Sequence, residues 1–215
     1  LMVPRETANE RDWRLYQELA AQADLILSSG RYLREWSLGR AQEILQVDEP
    51  RFADLRAWRL SRGLKPTADI GVISSRLEFP VPPVLSAGGR RLIAITAGKP
   101  DAERVKLIRD GGGEVIIAGE ADVEGPELMR QLVGLGYHTV YSAAGPRILQ
   151  LLTTGGVLDR LYLTWAGVLL GGETYATLYE GPRLIPPAGF RPASIYLDRA
   201  GPGGTGQLFL AYDRV

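Results

Sequence analysis

Residues 137–172 constrain this chain's fold more than any other stretch. An apolar strand ends in Ala143-Ala144-Gly145-Pro146, a short helix follows at once and stops at Gly155-Gly156, and a second long apolar strand ends at Gly171-Gly172. Pro146 suits a first helical position, because its fixed φ is helical and its missing N–H would have no partner there. Gly145 lets another group approach the backbone where the helix opens. A helix start presents free N–H groups and the positive end of a dipole, which together favour an anion. Arg147 adds a cation in that first turn, at a cost of roughly 0.3–1 kcal/mol against the dipole when no anion is bound. The stretch is therefore either a phosphate-binding turn or an ordinary strand-to-helix turn with a solvated arginine. The GxGxxG spacing of a standard dinucleotide fingerprint is absent.

The same punctuation recurs along the chain. Thr7-Ala8-Asn9-Glu10 fits a capping box with Thr7 as N-cap, and it predicts a helix to about Ala23 with Leu15, Leu19 and Ala23 on its buried stripe. Residues 24–28 form a strand that runs through Ser29-Gly30-Arg31 into a helix from Tyr32, a second place where backbone amides and an arginine meet. Residues 36–66 read as polar helix with a break near Asp48-Glu49-Pro50. The cluster Arg51, Arg56, Arg59, Arg62 and Lys65 is either a phosphate-facing surface or a solvated face. Strands follow at 69–74, closed by Ser75, and at 92–96, ending in Thr96, with Pro80, Pro82 and Pro83 marking a loop between them.

A helix from Pro100-Asp101 to Asp110 stops at Gly111-Gly112-Gly113. A strand spans 114–118, and a helix opening at Pro126 places Leu128, Leu132 and Leu135 on one face. The strand at 138–143 begins with His138, whose expected role is structural and half-buried. After the strand at 158–166, residues 194–198 and 207–212 form an antiparallel hairpin across a glycine-rich turn. Strands alternating with helices predict a central, mostly parallel sheet flanked by helices, here with an antiparallel hairpin at the end. With no linker and no internal repeat, residues 1–215 are expected to form a single domain.

Composition then removes whole classes of chemistry. There is no cysteine, so disulfides, thiolate catalysis and Cys-based metal sites are excluded, and a single histidine leaves no His cluster for a metal. Lys plus Arg and Asp plus Glu are both 25, so no net charge draws in nucleic acid or an acidic membrane. No apolar run approaches the ~20 residues of a bilayer span, and the expected location is the cytoplasm.

Read in order, the motifs resemble the dihydrofolate-reductase-like fold, in the branch of the reductase domain of bacterial riboflavin biosynthesis, the RibD C-terminal domain. Ala144-Gly145-Pro146, then Leu149, Leu152, Gly156, Leu158-Asp159 and Leu161, are similar to that family's E-(A/G)-G-P, leucine-rich helix and G-L-V-D-E-L. Ala166 and Leu169-Leu170-Gly171 resemble its A-P-x-L-L-G, residues 24–30 its A-D-A-I-L-V-G-x-G-T, and residues 72–75 its V-I-D-S.

The resemblance implies NADPH as cofactor and hydride transfer to a ribosylaminopyrimidine 5'-phosphate or a related heterocycle such as a pterin. It implies cofactor contacts from Gly30, Arg31, Ser75, Thr96, Ala144, Gly145, Pro146, Arg147, Ile148 and Leu149. It names no catalytic side chain and no metal. It also implies a homodimer, for which apolar strand surface of the C-terminal hairpin is available. Three positions depart from the pattern: Ala143 stands for the family's Glu, Arg160 for the Glu of its D-E, and Arg31 for its Thr. A non-catalytic nucleotide-binding homologue is therefore the other reading. The family's S-L-D-G strand is not in these residues and is expected upstream of Leu1.

Overall fold

A computed structural model describes residues 7, 9–82, 85, 89–173 and 177–215. Ala8 of the expected capping box and Pro83 of the expected loop lie outside the described residues. The chain divides into two compact units, Gln17–Ala144, and Leu1–Tyr16 with Gly145–Val215.

The first unit is built on a five-stranded sheet in the order β4-β3-β2-β1-β5, with every pairing parallel. Its strands are β1 (Leu25–Ser29), β2 (Asp69–Ile73), β3 (Leu92–Thr96), β4 (Glu114–Ile117) and β5 (Val140–Ser142). β1, β2 and β3 are almost continuously apolar and buried, as strands covered on both faces must be. Gly71 sits in the middle of β2, where a Cβ would meet side-chain atoms of Leu27 at 2.8 Å, Leu25 at 3.0 Å and Ile95 at 3.2 Å. The helices of this unit are α2 (Gly30–Ser37), α3 (Ala53–Ser61), α4 (Ala102–Asp110) and α5 (Gly125–Gly134). Asp101 caps α4 by accepting from the Arg104 amide, and Leu128 and Leu132 of α5 are buried.

Helix α1 (Glu10–Ala21) corrects two expectations. Its cap is Asn9, whose side chain accepts from the Asp12 amide at 2.9 Å, rather than Thr7. Its buried residues are Gln17, Ala20 and Ala21, whereas Leu15 and Leu19 are half-exposed. Gln17 is buried because it is satisfied. It donates to the Ile44 carbonyl and accepts from the Gln46 amide, both at 2.8 Å. Those two bonds hold residues 38–49 as an irregular segment rather than the helix expected there, with Ile44, Leu45 and Val47 buried beneath it.

The second unit carries a three-stranded antiparallel sheet in the order β6-β8-β7, formed by β6 (Arg160–Ala166), β7 (Phe190–Asp198) and β8 (Gln207–Arg214). The hairpin is as expected. β6, however, pairs antiparallel with β8 instead of joining the parallel sheet. Helix α6 (Pro146–Thr154) has the bounds that the proline and glycine signals predict. Asn9 and Gln207 exchange bonds of 2.8 and 3.2 Å, Gln207 donates to Asp198 at 2.9 Å, and Arg11 pairs with Asp198, which anchors the start of α1 to the β7-β8 end.

Candidate functional site

In the parallel sheet the chain runs outward through β1, β2, β3 and β4, then returns to place β5 on the other side of β1. Between β1 and β5 the direction of strand progression reverses. Such a reversal opens a crevice outside the carboxyl ends of the strands, where ligands bind in open α/β sheets. Gly30 follows β1, Ser75 follows β2, Thr96 ends β3, and Ala143-Ala144 follow β5, so the fold brings these four positions to one edge of the sheet.

At that edge β1 passes directly into α2. Ser29 is the N-cap, accepting from the Tyr32 amide, so the helix opens at Gly30 rather than at Tyr32. Gly30 is buried, and a Cβ there would meet Phe79 at 3.1 Å and Ser74 Oγ at 3.3 Å. A larger residue here would press on both side chains, so the two loops pack closely against the glycine. The loop after β2 is held from both ends. Ser74 Oγ accepts from the Leu77 amide at 3.1 Å, and Arg34 Nη1 donates to the Glu78 carbonyl at 2.7 Å. Leu77 is buried with φ 53°, a left-handed conformation that costs a leucine roughly 1–2 kcal/mol. Strain of this kind persists where surrounding contacts over-determine it, and it clusters at ligand sites.

Two arginines decide the electrostatics of the edge. Arg31, in the first turn of α2, and Arg76, in the loop after β2, are both exposed. Neither has an acidic partner among the described residues, and α2 has no acidic residue in its first turn. A cation in a helix's first turn opposes the dipole, so an approaching anion is favoured by both. Thr96 is different. It is fully buried, with its hydroxyl 3.5 Å from the Ser75 carbonyl, and so it supports Ser75 from below rather than offering a surface of its own.

In the other unit, Gly145 caps α6 with φ −78° and ψ −176°, a conformation open to any residue. A Cβ on Gly145 would meet nothing within 4 Å. The glycine is thus not demanded by protein packing, and the space beside it is open to another group. The Ile148 and Leu149 amides bond back to the Gly145 carbonyl at 3.0 and 3.2 Å, while the Arg147 amide has no acceptor among the described residues. Ile148 is buried and Leu149 half-buried, so their contribution at this helix start is packing and backbone. The Arg147 guanidinium is exposed and reaches Glu180 at 3.0–3.1 Å, turning its charge away from the role expected of it.

The remaining candidates resolve simply. Arg59 is buried and donates to the carbonyls of Lys65, Ala21 and Ala23 at 2.7–2.8 Å. Burial holds its ionisation below the usual arginine range. Arg51 pairs with Glu49, Arg56 with Asp48 and Lys65 with Asp69, and Arg62 lies over the Trp58 ring. These charges are thus engaged within the protein, as in the solvated-face reading of the cluster. His138 is exposed and precedes β5, and its backbone amide donates to Asp24 at 2.9 Å, which corrects the half-buried strand position expected for it. Arg76 and Leu77 are additions to the expected site, while Ser29 and Ser74 lie in expected motifs but act through the caps they form. A serine directly before a strand-to-helix glycine was the one available signal, as an N-cap.

Comparison with known proteins defines the class. The family model of the RibD C-terminal domain matches residues 4–195, and the chain belongs to that family. A pyrimidine reductase-like protein from Corynebacterium diphtheriae has the same fold, with a TM-score of 0.74, 16% identity, and coverage of 99% of this chain and 84% of its own. RibD from Acinetobacter baumannii aligns with a TM-score of 0.60 and 9% identity, covering 97% of this chain and 52% of that one. The diaminohydroxyphosphoribosylaminopyrimidine deaminase/5-amino-6-(5-phosphoribosylamino)uracil reductase of Thermotoga maritima gives 0.59 and 9%, covering 96% and 50%. The chain thus spans about half the length of these two longer proteins. No curated protein matches it. Among the described residues no helix is long and apolar enough to cross a membrane.

Proposed function

We propose that the chain is a cytoplasmic, NADPH-dependent reductase of the riboflavin-biosynthesis type, residues 1–215 acting as one reductase domain on a ribosylaminopyrimidine 5'-phosphate or a related heterocycle. Family membership supports the reaction class. The observation that carries the anionic cofactor is the pair of exposed arginines, Arg31 and Arg76, which have no acidic partner among the described residues and follow the neighbouring strands β1 and β2. Arginine grips phosphate bidentately, which suits a nucleotide bearing an extra phosphate.

The residues present fit such a group, each in its own unit. Gly30 and the cap at Ser29 hold the start of α2 close to the sheet edge, Arg31 and Arg76 supply charge, and Ser75 is exposed next to them. In the other unit the Gly145-Pro146 helix start offers the Arg147 amide, which has no acceptor among the described residues, next to Gly145, where a Cβ would meet nothing within 4 Å. When bound, NADPH supplies the hydride, and the protein's part is orientation and electrostatics. No cysteine is present to act as a nucleophile, which agrees with that division of labour.

Titration of the protein's four tryptophans with NADPH tests this. Quenching at micromolar concentration is expected, and Arg31→Ala should weaken it about tenfold, as loss of one charge-assisted contact does. If neither NADPH nor NADH perturbs the fluorescence, the reading is abandoned. A second reading rests on Ala143, which stands where the family's carboxylate is expected: a homologue that binds nucleotide without turnover. Cofactor binding with no NADPH oxidation on any pyrimidine or pterin substrate would select it.

A further inference from the structure

The segment after β2 carries Ser75 and Arg76, both exposed, on a backbone that belongs to no helix or strand. Three restraints set its course. At its near end Ser74 Oγ accepts from the Leu77 amide at 3.1 Å. In its middle the Leu77 side chain is buried. At its far end Arg34 Nη1 donates to the Glu78 carbonyl at 2.7 Å. Together they keep Leu77 at φ 53°, a conformation that a leucine holds only while its surroundings impose it.

The third restraint reaches the segment from α2. Arg34 stands one helical turn after Gly30, and its guanidinium lies 3.4 Å from where a Cβ on Gly30 would be. The same absent side chain leaves room for Ser74 Oγ and Phe79, so α2 and the segment after β2 close on each other over Gly30. We propose that Arg34 is a positioning residue for the phosphate-bearing part of the cofactor. It fixes the Ser75-Arg76 backbone against the start of α2, so that Arg31 and Arg76 receive one anion together. This inference rests on the cofactor reading of the sheet edge.

The choice of acceptor separates this role from an ordinary surface ion pair. Arg34 bonds a backbone carbonyl, and among the described residues it pairs with neither the Glu35 nor the Glu78 carboxylate. A salt bridge would fix the same backbone while cancelling a charge beside the site. The carbonyl bond fixes it and leaves the cation intact, and a bond from a charged donor is strong enough for one exposed contact to matter. Arg31 and Arg34 are also three residues apart on α2, where like charges repel, and a bound anion relieves that repulsion.

Arg34→Met and Arg34→Lys test the inference through three measurements: nucleotide titration, urea unfolding and amide hydrogen exchange at Leu77. In Arg34→Met the affinity for NADPH should fall about tenfold, while that for NADH, which lacks the extra phosphate, should change by about twofold or less. Exchange at Leu77 should quicken and the urea midpoint should hold, because Arg34 is exposed. Arg34→Lys keeps the charge and one donor, and should recover most of the NADPH affinity together with the slower exchange. Equal losses for both nucleotides with a lower urea midpoint, or a variant that fails to fold, would make Arg34 a stabilising residue and overturn the inference. Unchanged NADPH affinity, or unchanged exchange at Leu77, would overturn it too. The parent chain tells the two possible failures apart. If the parent takes up neither nucleotide, the cofactor reading fails and takes this inference with it; if parent and Arg34→Met bind NADPH equally, the role of Arg34 alone fails.

Discussion

Charged residues buried in this chain are each met by specific partners, and for Arg59 those partners are backbone carbonyls. Arg59 is the sharpest case, since its guanidinium ends three carbonyls' search for a donor and has no carboxylate beside it in hydrogen-bond contact. Arg59→Met keeps the packing of the stem but strands the carbonyls of Ala21, Ala23 and Lys65. Each unsatisfied buried group costs about 1–3 kcal/mol, so the variant should lose about 3 kcal/mol or more in urea unfolding. A loss under ~1 kcal/mol would mean that water reaches those carbonyls. Gln17 works by the same logic from a helix, and Leu77 shows the reverse: a residue held in a costly conformation because its side chain is buried and its amide is capped.

At the scale of elements, close approach of strand to strand is what the sheet cannot relinquish. In Gly71→Ala the new methyl would press on Leu25, Leu27 and Ile95, which are themselves buried and cannot swing away. Overpacking of this kind costs roughly 1–3 kcal/mol, to be seen as a lower urea midpoint with an unchanged slope. Sequence made such elements legible where glycine and proline punctuate them. β3, α4 and α6 fall where the signals place them, because Asp101, the triple glycine and Pro146 act locally. Residues 38–49 were illegible because their structure comes from Gln17, far away along the chain, and their polar composition alone reads as helix. The pairing of β6 was hidden for a similar reason: Arg160 lies opposite Asp213, and no local pattern encodes that distance. At the candidate site the glycine turns were visible, whereas Arg76 and the strained Leu77 became meaningful only once strand order placed their loop at the carboxyl end of β2, next to β1.

For the whole molecule, the two ends of the sequence are tied within one unit. Asn9, Arg11, Gln207 and Asp198 form that tie. Hydrogen bonding from Gln207, then from the Ala200 amide, and the Arg11 charge hold the Asp198 carboxyl below its ordinary value of 3.8, against the opposing effect of burial. A carboxyl lowered on folding contributes stability that is fully present above its ordinary value and is lost as pH falls through the lowered one. Stability should therefore fall with pH below about 4, and Asp198→Asn should flatten that acid limb in urea midpoints collected from pH 5 to pH 2. An unchanged limb would show that the tie carries no proton linkage.

The reversal at β1 also sets an order of events during synthesis. β1 finds β2 within about one helical hairpin of chain, but its other neighbour begins at Val140, which pairs with Leu25. On a ribosome, four strands can assemble while one flank of β1 is still bare, and loop closure over so long a span is slow. The crevice proposed for the cofactor is thus the last part of that sheet to come into being, and nascent chains halted before residue 140 should be captured by holdase chaperones at β1.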